Sequence, residues 1–217
     1  MSNVPGAVLF DFDGTLADTA ADLGGALNRL RGEAGLAPLP VEAVRPYASM
    51  GARGMLRVGF ALKPEDAQYP ALREAFLRHY EARMCEETTL FPGMRELLHA
   101  LGERGLAWGI VTNKARRFAE RIVTFLKLEP ACVVGGGDTP HFKPHPAPML
   151  LAAKKLSLAP STCWYLGDDL RDIQAGRAAG MRPVAVEWGY TSPDNGGPHA
   201  WNADAVIREP LDLLRVL

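Results

Sequence analysis

The sequence predicts an α/β fold, a doubly wound parallel sheet interrupted by an inserted domain of α-helices. Five short runs are apolar on successive residues rather than on alternate ones, as in strands that are covered on both faces. Helical patterns of about 10–15 residues alternate with the later runs. The stretch between the first and second runs is far longer than one crossover helix requires.

The predicted strands each end where polar residues or glycines begin. In chain order they are 7–10, 108–111, 132–134, 164–166 and 183–186.

The predicted helices of the sheet domain carry apolar residues at helical spacing. The first starts near Pro92 and stops at Gly105, which suits proline at a helix start and glycine after a helix end. The four helices are 92–105, 115–126, 146–156 and 170–179.

The long interruption reads as helices only, with Leu23, Leu27 and Leu30 on one face of the first. We therefore predict a sheet domain formed by residues 1–17 and 91–217, and a helical cap domain formed by residues 18–90. Hinges are expected near Asp18 and Leu90, and closure of the cap is expected to complete the substrate pocket. The alternative is a helical decoration that packs rigidly on the sheet.

Composition excludes several classes of protein. Of 217 residues, 47% are hydrophobic, so the chain can bury a core. The net charge of −1, without long basic runs, argues against a nucleic-acid partner. The first residues lack the basic region of a signal peptide, and no segment has the roughly 20 apolar residues of a membrane helix. Three scattered cysteines favour the reducing cytoplasm. The oligomeric state is not readable from the sequence.

Polar side chains gather where the predicted strands end, and ligands of open α/β sheets bind at that edge. The residues concerned are Asp11, Asp13, Thr112, Asn113, Asp138, Lys143, Asp168, Asp169 and Asp172. Two charges about 4 Å apart repel by roughly 4 kcal/mol at a protein-like dielectric. A cluster of this many carboxylates therefore requires a cation. Carboxylate oxygens suit Mg²⁺. Asp11 and Asp168 are the predicted ligands, and either Asp169 or Asp172 is a further ligand or a hydrogen-bonding neighbour of the ligands.

The remaining polar groups suit a phosphate. Thr112 offers a hydroxyl, amides near Asn113 can bind an anion, and Lys143 supplies a positive charge. A carboxylate can also act as a nucleophile and form an aspartyl-phosphate. We expect Asp11 to attack phosphorus and Asp13 to act as the general acid and base.

Four motifs resemble, in order and spacing, those of the haloacid-dehalogenase-like (HAD) hydrolases. They are FDFDGTL from Phe10, VTN from Val111, the Lys143-Pro144 pair, and GDDLRD from Gly167. The resemblance implies a phosphatase with Mg²⁺, an aspartyl-phosphate intermediate and a cap inserted after the first motif. It also implies that Asp13 offers the metal its backbone carbonyl, beside Asp11 and Asp168, and that Thr112 and Lys143 hold the phosphoryl group.

Within the family the chain looks most like the phosphoglycolate phosphatase branch, and most of all like the bacterial N-acetylmuramic acid 6-phosphate phosphatases. The stretches that carry this likeness are 51–55, 90–94, 108–122, 167–180 and 201–204. It implies a small-molecule phosphate ester as substrate, either 2-phosphoglycolate or a sugar phosphate such as N-acetylmuramate 6-phosphate. One departure is His145, which follows the Lys-Pro pair in place of a frequent acid.

Structural explanations compete with several of these roles. Asp11 and Asp13 suit a turn with a helix cap. Thr112 with Asn113, and Asp168 or Asp169, suit caps of the helices that follow them. Asp172 suits a helix dipole. Arg53 in the cap is a candidate ligand for a substrate carboxylate or sugar, and an exposed helix arginine explains it almost as well.

Three other functions remain open on the sequence. A phosphomutase uses the same residues and returns the phosphoryl group to a sugar. A dehalogenase does not need Asp13 as acid and base. A receiver-like module accepts a phosphoryl group on an aspartate as a signal, but has no cap.

Overall fold

A computed structural model describes residues 4–217, except for the side chain of Pro193. By the density of its contacts the chain divides into two compact units. One, the sheet unit, consists of the described residues up to Ala17 together with Leu90–Leu217. The other, the helical unit, is Asp18–Thr89.

The sheet unit contains a six-stranded sheet in which every paired neighbour is parallel. The order across the sheet is β5-β4-β1-β6-β7-β8, and the predicted α/β class is therefore confirmed. The strands of this sheet are β1 (Ala7–Phe10), β4 (Ala107–Ala115), β5 (Cys132–Gly136), β6 (Cys163–Gly167), β7 (Arg182–Val186) and β8 (Ala205–Ile207).

Burial explains why the strands read as continuous apolar runs. All four residues of β1 are fully buried, and all five of β6 are buried. One core cluster joins Leu9, Val134, Met149 and Tyr165, which come from three strands and a helix. Strand β8 was not among the predicted strands, because its three residues at the sheet edge give a weak apolar signal.

Helices of the sheet unit follow the predicted pattern within one or two residues at most ends. They are α5 (Met94–Glu103), α6 (Arg116–Phe125), α7 (Ala147–Lys155) and α8 (Leu170–Ala178). The short α9 (Leu213–Val216) was not among the predicted helices. Among residues 4–217, none of the helices has both the length and the apolar character needed to cross a bilayer.

The helical unit consists of four helices and a 3₁₀ segment, Arg45–Met50. The helices are α1 (Ala20–Glu33), α2 (Val41–Val44), α3 (Gly51–Phe60) and α4 (Tyr69–Arg83). Leu23, Leu27 and Leu30 are buried on α1, as the spacing predicted, and Phe76 and Tyr80 of α4 are buried and stacked. Two-residue strands, β2 (Ala17–Asp18) and β3 (Thr89–Leu90), pair where the chain passes between the units.

Candidate active site

The candidate site lies at the carboxyl ends of the three central strands. β1 lies between β4 and β6 in the sheet. Asp11 therefore follows β1 beside Thr112 near the end of β4 and Asp168 after β6. Parallel neighbours bring residues that are more than 100 positions apart to one edge, which is the usual ligand edge of such sheets.

The chain turns back on itself immediately after Asp11. The Asp11 amide continues the sheet by donating to the carbonyl of Leu166 at 2.8 Å. The amides of Gly14 and Ala17 then close a tight turn through bonds to Ala17 and Phe12 carbonyls at 3.0 and 2.9 Å. Gly14 has φ of +90°, and a Cβ there would lie 2.1 Å from an oxygen of Asp168. A larger residue would displace the acid, so glycine is required here.

Lys143 lies between two carboxylates. Its Nζ is 2.7 Å from Oδ1 of Asp11 and 2.7 Å from Oδ1 of Asp172, and all three side chains are more than nine-tenths buried. Nζ also donates to the hydroxyl of Tyr165 at 2.9 Å. The contact with Asp11 is an ion pair without hydrogen-bond geometry, and Oδ1 of Asp11 accepts no hydrogen bond from the described residues.

Charges in this cluster shift one another's ionisation. Burial opposes the charge on Lys143, but Asp11 and Asp172 outweigh it, so the pKa of Lys143 is raised. Burial, with Asp11 and Asp169 adding to it, raises the pKa of Asp172 to about 7 against the opposing charge of Lys143. Asp11 and Asp172 share the one ammonium of Lys143, and an additional cation would offset the repulsion between the two carboxylates.

Asp168 is fixed from several sides. Its Oδ1 accepts from the hydroxyl of Thr15 at 2.9 Å, and its Oδ2 accepts from the amide of Tyr190 at 3.0 Å. A Cβ on Gly189 would lie 2.1 Å from the Cβ of Asp168, so this loop reaches the acid only with glycine. These contacts hold the carboxylate in one orientation.

Asp169 caps helix α8. Its side chain accepts from the amide of Arg171 at 2.9 Å, and Asp172 accepts from the Asp169 amide at 3.1 Å, which completes a capping box. Arg171 and Asn195 also donate to the Asp169 carboxylate. Burial acts against ionisation of Asp169, but Arg171 outweighs it and lowers the pKa of Asp169. The capping explanation is therefore confirmed for Asp169, while Asp172 both completes the cap and contacts Lys143.

Thr112 and Asn113 organise the end of β4. The Thr112 hydroxyl accepts from the Lys114 amide at 3.1 Å, whereas α6 has no side-chain cap. The Asn113 side chain accepts from the Lys143 amide at 2.9 Å and donates to the Lys143 carbonyl at 3.0 Å. Asn113 thus holds the backbone that carries the lysine.

Three acids form a group that fits a metal ion. One oxygen from each of Asp11, Asp168 and Asp172 lies within 4.8 Å of the others, and all three residues are buried. Carboxylate oxygens are the ligands that Mg²⁺ takes, so this group of three acids suits a divalent cation.

Other predicted residues lie apart from this group. Asp138 pairs with Arg116 at 3.1 Å, so that position on the predicted rim has its own partner. Arg53 is exposed on α3 of the helical unit. The rings of His141 and His145 stack with centroids 4.2 Å apart on the loop that carries Lys143.

Sequence reasoning missed three residues that contact the acids. Lys114 lies 2.8 Å from Asp13, the Tyr165 hydroxyl lies 3.3 Å from Asp172, and Thr15 contacts Asp168. Lys114 directly follows the predicted phosphate-binding pair, and that position is the signal that was overlooked. Tyr165 is indistinguishable from a core aromatic in the sequence.

Comparison with known proteins finds related sequences over most of the chain. The family model described as haloacid dehalogenase-like hydrolase matches residues 8–186. An N-acetylmuramic acid 6-phosphate phosphatase of Pseudomonas putida is 42% identical over 97% of this chain and 95% of its own. A phosphoglycolate phosphatase of Xanthomonas campestris is 44% identical over 96% of this chain and 95% of its own.

Solved structures agree in fold. The crystal structure of a predicted phosphoglycolate phosphatase from Haemophilus somnus superimposes with a TM-score of 0.85 at 24% identity, over 100% of this chain and 99% of that one. The family model spans most of the chain, and the curated relatives match it almost end to end. The chain therefore belongs to the haloacid dehalogenase-like hydrolases, and it is a phosphatase of that family.

Proposed function

We propose that this chain is a Mg²⁺-dependent phosphomonoester hydrolase that works through an aspartyl-phosphate on Asp11. The observation that carries the proposal is the state of the Asp11 carboxylate. It is buried, it is 2.7 Å from the ammonium of Lys143, and its Oδ1 accepts no hydrogen bond from the described residues. A buried carboxylate that an adjacent ammonium orients is suited to act as a nucleophile.

Asp11, Asp168 and the backbone carbonyl of Asp13 would hold Mg²⁺, with Asp172 as a further ligand or neighbour. Bound Mg²⁺ supplies positive charge that neutralises the oxygens of a phosphate ester. Lys143 would add a second positive charge, and Thr112 and the amide of Asn113 would bind further phosphoryl oxygens. Phosphoryl transfer depends mainly on such positioning and neutralisation.

The reaction has two steps. In the first, an oxygen of Asp11 bonds to phosphorus as the ester P–O bond breaks, and Asp13 gives its proton to the departing alcohol oxygen. In the second, water attacks phosphorus while Asp13 takes its proton, the bond between phosphorus and the Asp11 oxygen breaks, and inorganic phosphate leaves with Asp11 restored as a carboxylate. Asp13 then carries the proton needed for the next turnover.

We propose a small phosphorylated metabolite as substrate, either 2-phosphoglycolate or a sugar phosphate such as N-acetylmuramate 6-phosphate. The names of relatives that match over almost the whole chain support this class. Both compounds are alkyl phosphate monoesters that also carry a carboxylate. Arg53 of the helical unit is our candidate for contact with the part of the substrate beyond the phosphate.

The test is a screen of phosphate esters with the purified protein, with Mg²⁺ and after its removal by EDTA. We expect release of inorganic phosphate from at least one of the two compounds, loss of activity with EDTA and recovery with Mg²⁺. Asp11→Asn should lower kcat by about 10⁴-fold or more, because the nucleophile is removed. Turnover by Asp11→Asn within tenfold of the wild type would exclude Asp11 as nucleophile.

The aspartyl-phosphate is tested by acid quenching during turnover and mass spectrometry of the peptide that contains Asp11. We expect a phosphoryl adduct on this peptide, absent from Asp11→Asn. An isomeric sugar phosphate in place of inorganic phosphate would identify a phosphomutase and contradict hydrolysis.

Arg53 is tested separately with Arg53→Ala and, as a control, Arg73→Ala, another arginine of the helical unit. We expect Arg53→Ala to raise KM for the preferred metabolite and to leave KM for 4-nitrophenyl phosphate unchanged. An unchanged KM for both esters would remove Arg53 from the proposal.

A further inference from the structure

A second lysine serves the acid that follows Asp11 by two residues. Nζ of Lys114 is 2.8 Å from Oδ1 of Asp13, and only 6% of the Lys114 side chain and 13% of the Asp13 side chain are exposed. Lys114 lies near the end of β4, and Asp13 lies in the turn that follows the neighbouring strand β1, 101 positions away. In such a buried place an ion pair fixes both side chains more firmly than a surface pair does.

The backbone that carries Lys114 is held tightly. Its amide donates to the hydroxyl of Thr112 at 3.1 Å. A Cβ on Gly136 of the adjacent strand would lie 2.6 Å from the carbonyl oxygen of Asn113 and 3.2 Å from that of Lys114. The end of β4 therefore packs directly against the neighbouring backbone, and this packing fixes the position of the Lys114 backbone.

The two buried lysines contact different acids. Lys143 contacts Asp11 and Asp172, whereas Lys114 contacts Asp13. In the reaction described above, Lys143 is the lysine that binds the phosphate, and Lys114 has no assigned role. Its contact is with the one acid whose part in that reaction is to move protons.

We propose that Lys114 is a positioning residue that holds the carboxyl group of Asp13, through the hydrogen bond that Nζ donates to Oδ1 at 2.8 Å, for proton transfer to the departing oxygen. This inference rests on the proposed function. The proton moves from Asp13 to the alcohol oxygen as the P–O bond breaks, and Asp13 regains one from water in the second step. Lys114 gives up no proton and touches no reacting atom.

The proposal predicts a dependence on the leaving group. An alkoxide is a poor leaving group and needs the proton, whereas 4-nitrophenolate leaves without one. General acid catalysis is typically worth about 10²–10⁴-fold. Loss of Lys114 should therefore slow the cleavage of alkyl esters far more than the cleavage of an aryl ester.

The experiment compares Lys114→Met with the wild type on 4-nitrophenyl phosphate and on the alkyl ester that the wild type turns over faster, 2-phosphoglycolate or N-acetylmuramate 6-phosphate. The quantity measured is kcat/KM, which covers binding and P–O cleavage. We expect about a 10²-fold fall for the alkyl ester and a fall below about fivefold for the aryl ester. Equal falls for the two esters would overturn the proposal.

Binding is measured separately, as inhibition of 4-nitrophenyl phosphate hydrolysis by the alkyl ester. The inhibition constant should stay within about twofold in Lys114→Met, since a positioning residue does not contact the substrate. A tenfold or larger rise would make Lys114 a substrate ligand and would also overturn the proposal.

Two further variants control for the fold and for charge. Lys155→Met, whose lysine is exposed and contacts the Val133 carbonyl, should leave both esters unaffected. Lys114→Arg keeps the positive charge, and its kcat/KM for the alkyl ester should be at least tenfold higher than that of Lys114→Met. A kcat/KM equal to that of Lys114→Met would contradict positioning through charge. If Asp11→Asn stays active, the proposed function fails; if Asp11→Asn is inactive and Lys114→Met shows no leaving-group dependence, only this inference fails.

Discussion

Both units of the molecule contain buried carboxylates, and the two sets are treated differently. In the helical unit, the fully buried Asp22 accepts amide hydrogen bonds from Cys85, Glu87 and Thr88 at 2.9 to 3.1 Å, and one from the Thr88 hydroxyl at 2.6 Å. In the sheet unit, Oδ1 of Asp11 accepts no hydrogen bond from the described residues.

This difference distinguishes a carboxylate that stabilises the fold from one that is proposed to take part in catalysis. Four donors satisfy Asp22, so its carboxylate ties α1 to the segment that follows α4 and has no capacity left for a ligand. Asp11 and its neighbours are instead balanced by lysine charge, with oxygens available to a cation. The proposed active site is therefore the place where buried acids are paired with lysines instead of being satisfied by backbone donors.

The largest effect on this comparison is expected from Lys143→Met. Removing the ammonium leaves Asp11 and Asp172 facing each other and removes a positive charge from the proposed phosphate site. We expect kcat to fall by about 10³-fold. The assay is run on protein with wild-type circular dichroism, with Lys155→Met as the control. Activity within tenfold of the wild type would contradict a role for Lys143 at the phosphate.

Asp22→Ala should act on stability rather than on chemistry. The substitution leaves four buried hydrogen-bond donors without their acceptor, and we expect the free energy of unfolding to fall by about 3 kcal/mol. All four tryptophans, Trp108, Trp164, Trp188 and Trp201, lie outside the helical unit. Urea unfolding followed by circular dichroism should therefore shift more than unfolding followed by tryptophan fluorescence.

The control for this variant is Asp66→Ala in the same unit. Asp66 accepts one exposed amide hydrogen bond, from Lys63 at 2.7 Å, and its removal should cost about 1 kcal/mol or less. Equal losses in the two variants would show that the buried network around Asp22 has no special weight.

Asp172→Asn and Asp169→Asn test which of these two acids serves the metal. We expect Asp172→Asn to weaken the apparent affinity for Mg²⁺ by about 10–100-fold, because Asp172 is grouped with Asp11 and Asp168. Asp169 is held by Arg171 and Asn195, so Asp169→Asn should weaken it less. The measurement is activity against Mg²⁺ concentration, and the reverse order would contradict the assignment.

The raised pKa of Asp172 also predicts a pH dependence of stability. Burial raises this pKa from 3.8 to about 7, so without Mg²⁺ the folded chain binds more protons than the unfolded chain between these values. The contribution of Asp172 to the free energy of unfolding should be fully present below about pH 4, and it should be lost as pH rises through about 7. Melting temperatures in EDTA should show this decline in the wild type and a smaller one in Asp172→Asn.

The smallest effect is expected from Tyr165→Phe. The hydroxyl donates to the Val111 carbonyl at 2.7 Å and accepts from Lys143 at 2.9 Å, and its removal should lower the free energy of unfolding by about 1 kcal/mol. The ring stays in the core. Urea denaturation measures the change, and a loss above about 3 kcal/mol would mean that the hydroxyl organises more of the site than these contacts indicate.

Much of this molecule could be predicted from short-range patterns. The continuous apolar run of β1 predicts a covered strand, the acids after it predict a site at the strand ends, and Leu23 to Leu30 predict the buried face of α1. These features depend on residues within about ten positions of one another. The likeness of four motifs to one family then fixed the class of enzyme, which the relatives confirm.

The sequence alone thus determined the α/β class, the helical insertion and the choice of Asp11, Asp168 and Lys143 as candidates. Only the tertiary structure decided that Asp169 caps a helix while Asp172 meets Lys143, and that Lys114 pairs with Asp13. The physical reason is that a partner is chosen by distance in space. Parallel strands bring residues about 100 positions apart to one edge, and no local pattern records which side chains then meet.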